Sequence, residues 1–359
     1  MYKKIFLDIK SEIEQGKYLL DEMLPSERIY VNKYNADRTT IRKAFDLLVE
    51  QGYIEKKPGK GSFVTFGGSK NKKEVKSSLG TIAFFLPKSN KNKDRITIPF
   101  YSELFSASEK NCKSNSFSIF YSTLNEDDSI IEIMNHQKTK FSGILFVSNI
   151  LEHHIEEANN LNIPNVLLNG ISNLTTSIIS DNYNGSYFVA KHLLDLGHKD
   201  FCILNGIEEY QTAKERLRGS IEALKERKLD NNVEIITDNS WEFEGGYNAV
   251  YKYIDSAKKL PTALIAFNDR LANGAIQAIQ KHGLRVPQDI SVVGYDNSDL
   301  SKYTTPKLST VEINATFLAD VAFYNLLTQL KFNKNLPVKV LIPVNYIERD
   351  SVKELPSSN

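Results

Sequence analysis

At 359 residues, with 41% hydrophobic and 25% charged side chains, the chain has enough apolar material for two or three cored units, which excludes wholesale disorder. The opening MYKKIFLDIKSEIEQGKY is broken by Asp8, Glu12 and Glu14 before an apolar run reaches signal-peptide length, and no stretch approaches the roughly 20 apolar residues that cross a bilayer, so a cytoplasmic protein without a membrane partner is expected. The net charge of +1 conceals an asymmetry: residues 1 to 77 hold 16 Lys and Arg against 11 Asp and Glu, which makes this end the nucleic-acid candidate and leaves the remainder net acidic.

In chain order, Ile5, Ile9 and Ile13 repeat at four-residue spacing and predict a first amphipathic helix. Pro25 and Ser26 suit the start of a second, residues 35 to 37 form a turn, and Asp37 can cap a third whose apolar stripe is Ile41, Phe45 and Leu48. That third helix opens with Arg38, Thr39, Thr40 and, one turn on, Arg42. A recognition helix presents this end to bases and phosphates. Residues 53 to 57 and 62 to 66 read as two short strands around Pro58, Gly59, Lys60 and Gly61, a tip slim and cationic enough to enter a minor groove. Isolated arginines at a helix start are ordinarily a solvated face, but here cap, turn and hairpin stand in register. Residues 67–79 combine Gly, Lys, Ser and Asn with little apolar content and read as a flexible linker.

Through LPSER, DRTTIRKAFDLLVEQGYI and KPGKGSFV, residues 1–66 resemble the GntR family of winged helix-turn-helix DNA readers. The resemblance implies that Arg28, Arg38, Thr39, Thr40 and Arg42 contact DNA, with Lys60 and Gly61 at the wing tip. Where the family usually has Ser or Thr before the Arg-Thr-Thr run, this chain has Asp37, whose charge should weaken DNA affinity.

From Gly80 onward the style changes. TIAFFLP, SFSIFYS, GILFVS, FCILNG, VEIITD, TALIAFN and ISVVGYD alternate with amphipathic stretches near 100 to 113 and 129 to 138 and beyond, the signature of βαβ units and parallel sheets. Two doubly wound lobes are the economical reading of this α/β pattern. Cys112 and Cys202 lack any CxxC or histidine company and read as buried, reduced thiols. His153, His154 and Glu157 have a metal-like helical spacing but no distant third ligand, so a solvated helix is expected there, and no cofactor or metal is expected anywhere.

Three segments, IISDNYNGSYFVAKHLLDLGHKDFCILNG, AKERLRGSIEAL and PTALIAFNDRLANGAIQAIQKHGLRVPQDISVVGYDNSDL, resemble the effector domain of the LacI/GalR family, which is similar to periplasmic sugar-binding proteins. The resemblance runs over residues 80–350, assigns them ligand binding and dimerisation in two lobes, and leaves 351–359 as a C-terminal tail. Ligands of open α/β sheets bind beyond the carboxyl ends of the strands. Phe100, Tyr101, Ser148, Asn169, Asp181, Asn268 and Asp296 stand near such ends and are effector-binding candidates. Arg216 joins them as a partner for hydroxyl pairs, and Trp241, the one Trp, as the flat surface for a sugar ring. Each has a plainer alternative: Arg216 as a surface residue, Trp241 as core filler, Asp296 as a helix cap, and the neighbouring Asp269 as a loop brace.

A GntR-type reader on a LacI-type sensor resembles the arabinose-repressor group. The resemblance implies a homodimeric repressor on a palindromic double-stranded operator, released by a small carbohydrate, with L-arabinose as the leading effector. A transport-linked solute-binding protein lacks support from the N-terminal reader, and a carbohydrate enzyme would need a nucleophile elbow, phosphate loop or carboxylate pair that the sequence does not display.

Overall fold

Apolar side chains on one stripe of each early helix meet in a small core of their own. The computed structural model describes residues 1–15, 17–18, 21–58, 60–65, 79–88, 94–332, 335 and 337–356. It divides into two compact units, Met1–Leu79 and Gly80–Asn359. In the first, α1 (Tyr2–Glu14), α2 (Glu27–Tyr34) and α3 (Arg38–Glu50) are followed by the antiparallel hairpin β1 (Ile54–Lys57) and β2 (Gly61–Val64). Ile5, Ile9, Ile13, Tyr30, Ile41, Phe45, Leu48 and Val64 pack together in its centre. Except for Leu79, the linker expected at 67–79 lies outside the described residues.

The second unit begins with β3 (Thr81–Pro87), α4 (Pro99–Ser114), β4 (Ser118–Leu124), α5 (Ile130–Gln137), β5 (Phe141–Val147), α6 (Glu152–Asn160), β6 (Asn165–Leu168) and β7 (Thr176–Ser180). It continues with α7 (Asn182–Asp195), β8 (Phe201–Leu204), α8 (Gln211–Glu226), β9 (Val233–Ile236), α9 (Phe243–Ser256), β10 (Ala263–Ala266), α10 (Asp269–Lys281), β11 (Ser291–Val293) and α11 (Asp299–Tyr303). β12 (Thr310–Glu312), α12 (Ala315–Phe332), β13 (Lys339–Ile342) and β14 (Asn345–Ile347) complete it.

Two parallel sheets result, in the orders β13-β7-β6-β5-β3-β4 and β11-β10-β8-β9, each the centre of one lobe. The chain crosses between the lobes after β7, after β12 and after β13. β3 explains why these strands read as unbroken apolar runs: Ile82, Phe84 and Leu86 enter the core on one face while Ala83 and Phe85 enter that on the other. Cys112 and Cys202 are both buried, unpaired thiols.

The end of the chain departs from the expected tail. Val292 N donates to the Ser351 carbonyl at 2.8 Å, Ser351 Oγ donates to the Val292 carbonyl at 2.6 Å, and Leu355 N donates to the Leu196 carbonyl at 2.9 Å. Ser351 thus satisfies both backbone groups of Val292 on the edge strand β11, and Leu355 satisfies the carbonyl of Leu196 at the end of α7. The solvated helix expected around His153 holds for His153, which is exposed, but not for His154 and Glu157. His154 is buried with Nε2 3.0 Å from the Asn125 carbonyl, and the Glu157 carboxylate accepts from Ser129 Oγ and from the Ile130 and Ile131 amides, capping α5. Among the described residues no group of three or more His, Cys, Asp or Glu is placed to hold a metal ion.

Candidate functional site

In the first unit, Asn35 closes α2 in the left-handed region at φ 45°, and the chain then turns into α3. Asp37 caps that helix: its carboxylate accepts from Thr40 N at 2.8 Å and from Thr40 Oγ1 at 2.7 Å. These bonds, the hydroxyl first, hold the Asp37 carboxyl below its ordinary range, so it is charged at neutral pH. They also engage the Thr40 hydroxyl within the protein. Arg28, Arg38, Thr39 and Arg42 are exposed, as are Lys60 and Gly61 on the hairpin. Gly61 needs its left-handed backbone at φ 121°, where a side chain would be strained and its Cβ would press on Met23 Sδ. One participant was not anticipated from the sequence: the Glu27 carboxylate lies 3.8 Å from Arg38 Nε and 3.7 Å from Arg42 Nη2 and holds the two guanidinium groups side by side.

In the second unit, a cavity of about 1420 Å³ separates the lobes, walled by residues 94–103 on one side and by segments around Asp238, Arg270 and Asp296 on the other. Phe100 and Asp296 line it. A smaller recess of about 140 Å³ is lined by Asn169 and Asp181, together with Arg218 and Lys339. Asp181 caps α7 there, accepting from Asn184 N at 3.1 Å and Asn184 Nδ2 at 2.7 Å.

On the first lobe the strand-end candidates join in a chain. Ser148 and Asn169 both take left-handed backbone just past β5 and β6, at φ 61° and 54°. Asn169 Nδ2 donates to Ser148 Oγ at 3.1 Å, and Ser148 Oγ donates to the Tyr101 hydroxyl at 3.2 Å.

On the second lobe Arg216 is the hub. It is 4% exposed, donates from Nε to Asn182 Oδ1 at 2.8 Å and from Nη1 to the Phe267 carbonyl, and lies over the Tyr295 ring at 3.6 Å. Its Nη1 is 3.8 Å from Asp296 Oδ1. Because Asn182 lines the recess and Asp296 the cavity, Arg216 stands between the two openings. Its guanidinium is thus largely engaged inside the protein, and Asn182 and Tyr295 are the partners that the sequence did not single out. Asn268 is similarly occupied: Oδ1 accepts from Leu271 N at 2.7 Å as the cap of α10, and Nδ2 donates to the Trp241 carbonyl at 2.9 Å. Trp241 lies against Gly206, where an added Cβ would come within 2.5 Å of the indole, and its ring is 6.2 Å from that of Tyr210.

Asp296 holds a left-handed backbone at φ 111°. Beneath it, buried Asp269 accepts from Ser298 N at 2.7 Å, Ser298 Oγ at 2.9 Å and Thr310 Oγ1 at 2.5 Å, bracing the loop that carries Asp296. Burial pushes both carboxyls above the usual range. At Asp269 the hydrogen bonds from Thr310 and Ser298 oppose the shift, and at Asp296 the Arg216 guanidinium does so while Asp269 adds to it.

Tyr101, Ser148, Arg216, Trp241 and Asn268 are not among the residues that line either opening, so of the expected residues Phe100 and Asp296 face the cavity and Asn169 and Asp181 the recess, while Arg216 backs Asp296 from within the protein. A large cavity with a few convergent polar groups suits a small polar molecule. Residues 1–64 match the bacterial regulatory proteins of the gntR family, and residues 190–352 match the periplasmic binding protein-like domain. The HTH-type transcriptional repressor PurR of Glaesserella parasuis serovar 5 (strain SH0165) is 34% identical over 252 residues, 68% of this chain and 73% of that protein. The ribose operon repressor of Haemophilus influenzae (strain ATCC 51907 / DSM 11121 / KW20 / Rd) is 30% identical over 72% of this chain and 78% of its own length. A LacI family transcriptional regulator from Enterococcus faecium, solved with bound ribose, shares the fold with a TM-score of 0.67 at 23% identity, over 77% of this chain and all of the other. With a gntR-family reader at its start and this ligand-binding domain behind it, the chain belongs to the LacI-family DNA-binding transcriptional regulators.

Proposed function

We propose that this regulator is a repressor released from its operator when a small neutral carbohydrate occupies the cleft between the two lobes of residues 80–350. The observation that carries the reading is that Asp296, backed by Arg216 of α8, faces the cavity between the lobes, while Tyr101 of α4 is hydrogen-bonded into a polar chain with Ser148 and Asn169 just past β5 and β6. Hydroxyl-rich ligands need alternating donors and acceptors, and Trp241, which packs against Gly206 and the core with its ring 6.2 Å from that of Tyr210, is the apolar surface proposed for the sugar ring. L-arabinose is the first candidate, on the resemblance to the arabinose-repressor group, and D-ribose is the second, since a ribose operon repressor and a ribose-bound regulator are among the similar proteins.

The reader occupies residues 1–66 and reaches DNA through Arg28, Arg38, Thr39, Thr40, Arg42, Lys60 and Gly61, with residues 67–79 as the linker. A homodimer would present two such readers to a palindromic operator, as two-fold symmetry requires. Acting on DNA places it in the cytoplasm, and the role asks for binding rather than catalysis. Thermal melting of the full chain against a panel of free sugars tests the reading. A binding sugar should stabilise the sensor by about 2.7 kcal/mol at a hundred times its Kd. A panel with no shift at millimolar concentrations would contradict it.

A further inference from the structure

A residue outside every strand end reaches across the cleft. Arg95 opens a short 3-10 turn, Arg95–Thr97, between β3 and α4 on the first lobe. The turn is pinned there by Asp94, which accepts from the Tyr121 hydroxyl at 2.7 Å and from Ile96 N at 3.2 Å. From this anchor Arg95 Nη2 donates to the hydroxyl of Tyr210 at 3.0 Å, and Tyr210 belongs to the second lobe, immediately before α8. Among the described residues this is the side-chain hydrogen bond that joins the lobes away from the crossovers. It also connects the two halves of the site. The Tyr101 hydroxyl, which accepts from Ser148, lies beside the Arg95 guanidinium, and the Tyr210 ring neighbours Trp241.

Arg95 lines the main cavity, and its Nε is buried without an acceptor in the protein. A buried N–H left in that condition costs free energy that an oxygen acceptor would recover. Arg216 differs, because its Nε and one Nη are already engaged by Asn182 and Phe267.

We infer that Arg95 is an effector-binding residue, its Nε–H donating to a ring or hydroxyl oxygen of the carbohydrate at the seam where the two lobes meet. The inference rests on the carbohydrate reading above and adds the cation that the first lobe contributes. Arg95 also senses closure, since it can hold Tyr210 and the ligand together only when the lobes are near.

The test uses the full chain, with Trp241, the sole Trp, as the fluorescent reporter of titration with L-arabinose and D-ribose. For whichever sugar the wild type binds, Arg95→Ala should raise Kd about tenfold or more, as expected for a lost hydrogen bond from a charged donor. The melting temperature without sugar should fall by no more than a few degrees, roughly the share of the lost Tyr210 bond. Arg95→Lys, which keeps the charge but places no N–H at the Nε position, should also bind more weakly. An unchanged Kd in Arg95→Ala overturns the assignment. So does wild-type binding by Arg95→Lys, or a sugar-free melting drop large enough to explain the loss as a broken lobe brace. A wild-type chain that answers neither sugar contradicts the carbohydrate reading itself and takes the assignment with it, an outcome distinct from a response that Arg95→Ala leaves intact.

Discussion

Arg216→Ala should lower the melting temperature of the Gly80–Asn359 unit by roughly 10 °C and abolish its response to sugar. The side chain is buried and serves Asn182, the Phe267 carbonyl and Asp296 at once. Removing one member of such a buried set costs about 3 to 5 kcal/mol, because the groups left behind stay desolvated and lose their partner. In a unit of this size each kcal/mol moves the midpoint by about 2 to 4 °C. The deficit should depend on pH. Asp296 has a carboxyl already raised by burial, and loss of the opposing guanidinium raises it further. A carboxyl whose pKa is higher in the folded than in the unfolded chain favours folding while it is protonated and loses that contribution as pH climbs through the folded value. The variant should therefore lie closer to wild type at pH 5 than at pH 8. Calorimetry at both pH values checks this, and a midpoint within a degree of wild type at each would show that Arg216 is no hub.

The Arg38→Ala, Arg42→Ala double variant should weaken operator binding at least tenfold, and a hundredfold if both side chains read bases, each such contact contributing about 1 to 3 kcal/mol. Sugar binding should stay at the wild-type level. Glu27 holds both guanidinium groups within 4 Å, so they present one paired cationic surface rather than two independent ones. Coupling is then expected, with the double variant losing less than the sum of the single ones. Asp37→Ser should tighten DNA binding, since it keeps a helix cap and removes a carboxylate that the Thr40 bonds hold in its charged form. Anisotropy titration on a DNA fragment flanking the regulator's own gene measures all of these. Wild-type affinity in the double variant would remove α3 from the interface.

The features readable in the sequence were those with a local physical signature. β3, β5 and β10 could be recognised because parallel strands buried on both faces need continuous apolar runs, and positions such as Ser148, Asn169 and Asp296 because they stand within three residues of the ends of β5, β6 and β11. Asp37 announced its cap by standing before Arg38 at the start of an apolar-periodic stretch. What stayed hidden depends on distant segments meeting. Nothing local tells that Arg95 will find Tyr210, that Glu27 will pair Arg38 with Arg42, or that Arg216 will spend its donors on Asn182 and Phe267. The same reason hid the docking of residues 351–355, whose sequence is tail-like but in which Ser351 bonds the edge strand β11 and Leu355 the end of α7. His154 and Glu157 looked solvated because helical spacing describes one helix alone, whereas their partners Asn125 and Ser129 come from the loop before α5.

The most direct measurement is operator affinity of the full chain with and without a saturating sugar, L-arabinose and D-ribose in turn, followed by anisotropy on the same DNA fragment. The sensor reading predicts that the bound sugar weakens operator binding by at least tenfold, the scale of coupling of about 1 to 3 kcal/mol between two sites in one protein. It also predicts that Arg95→Ala and Asp296→Ala, with operator affinity intact, fail to respond at the concentration that saturates the wild type. Equal operator affinity in the presence and absence of a sugar shown to fill the cleft would contradict the reading.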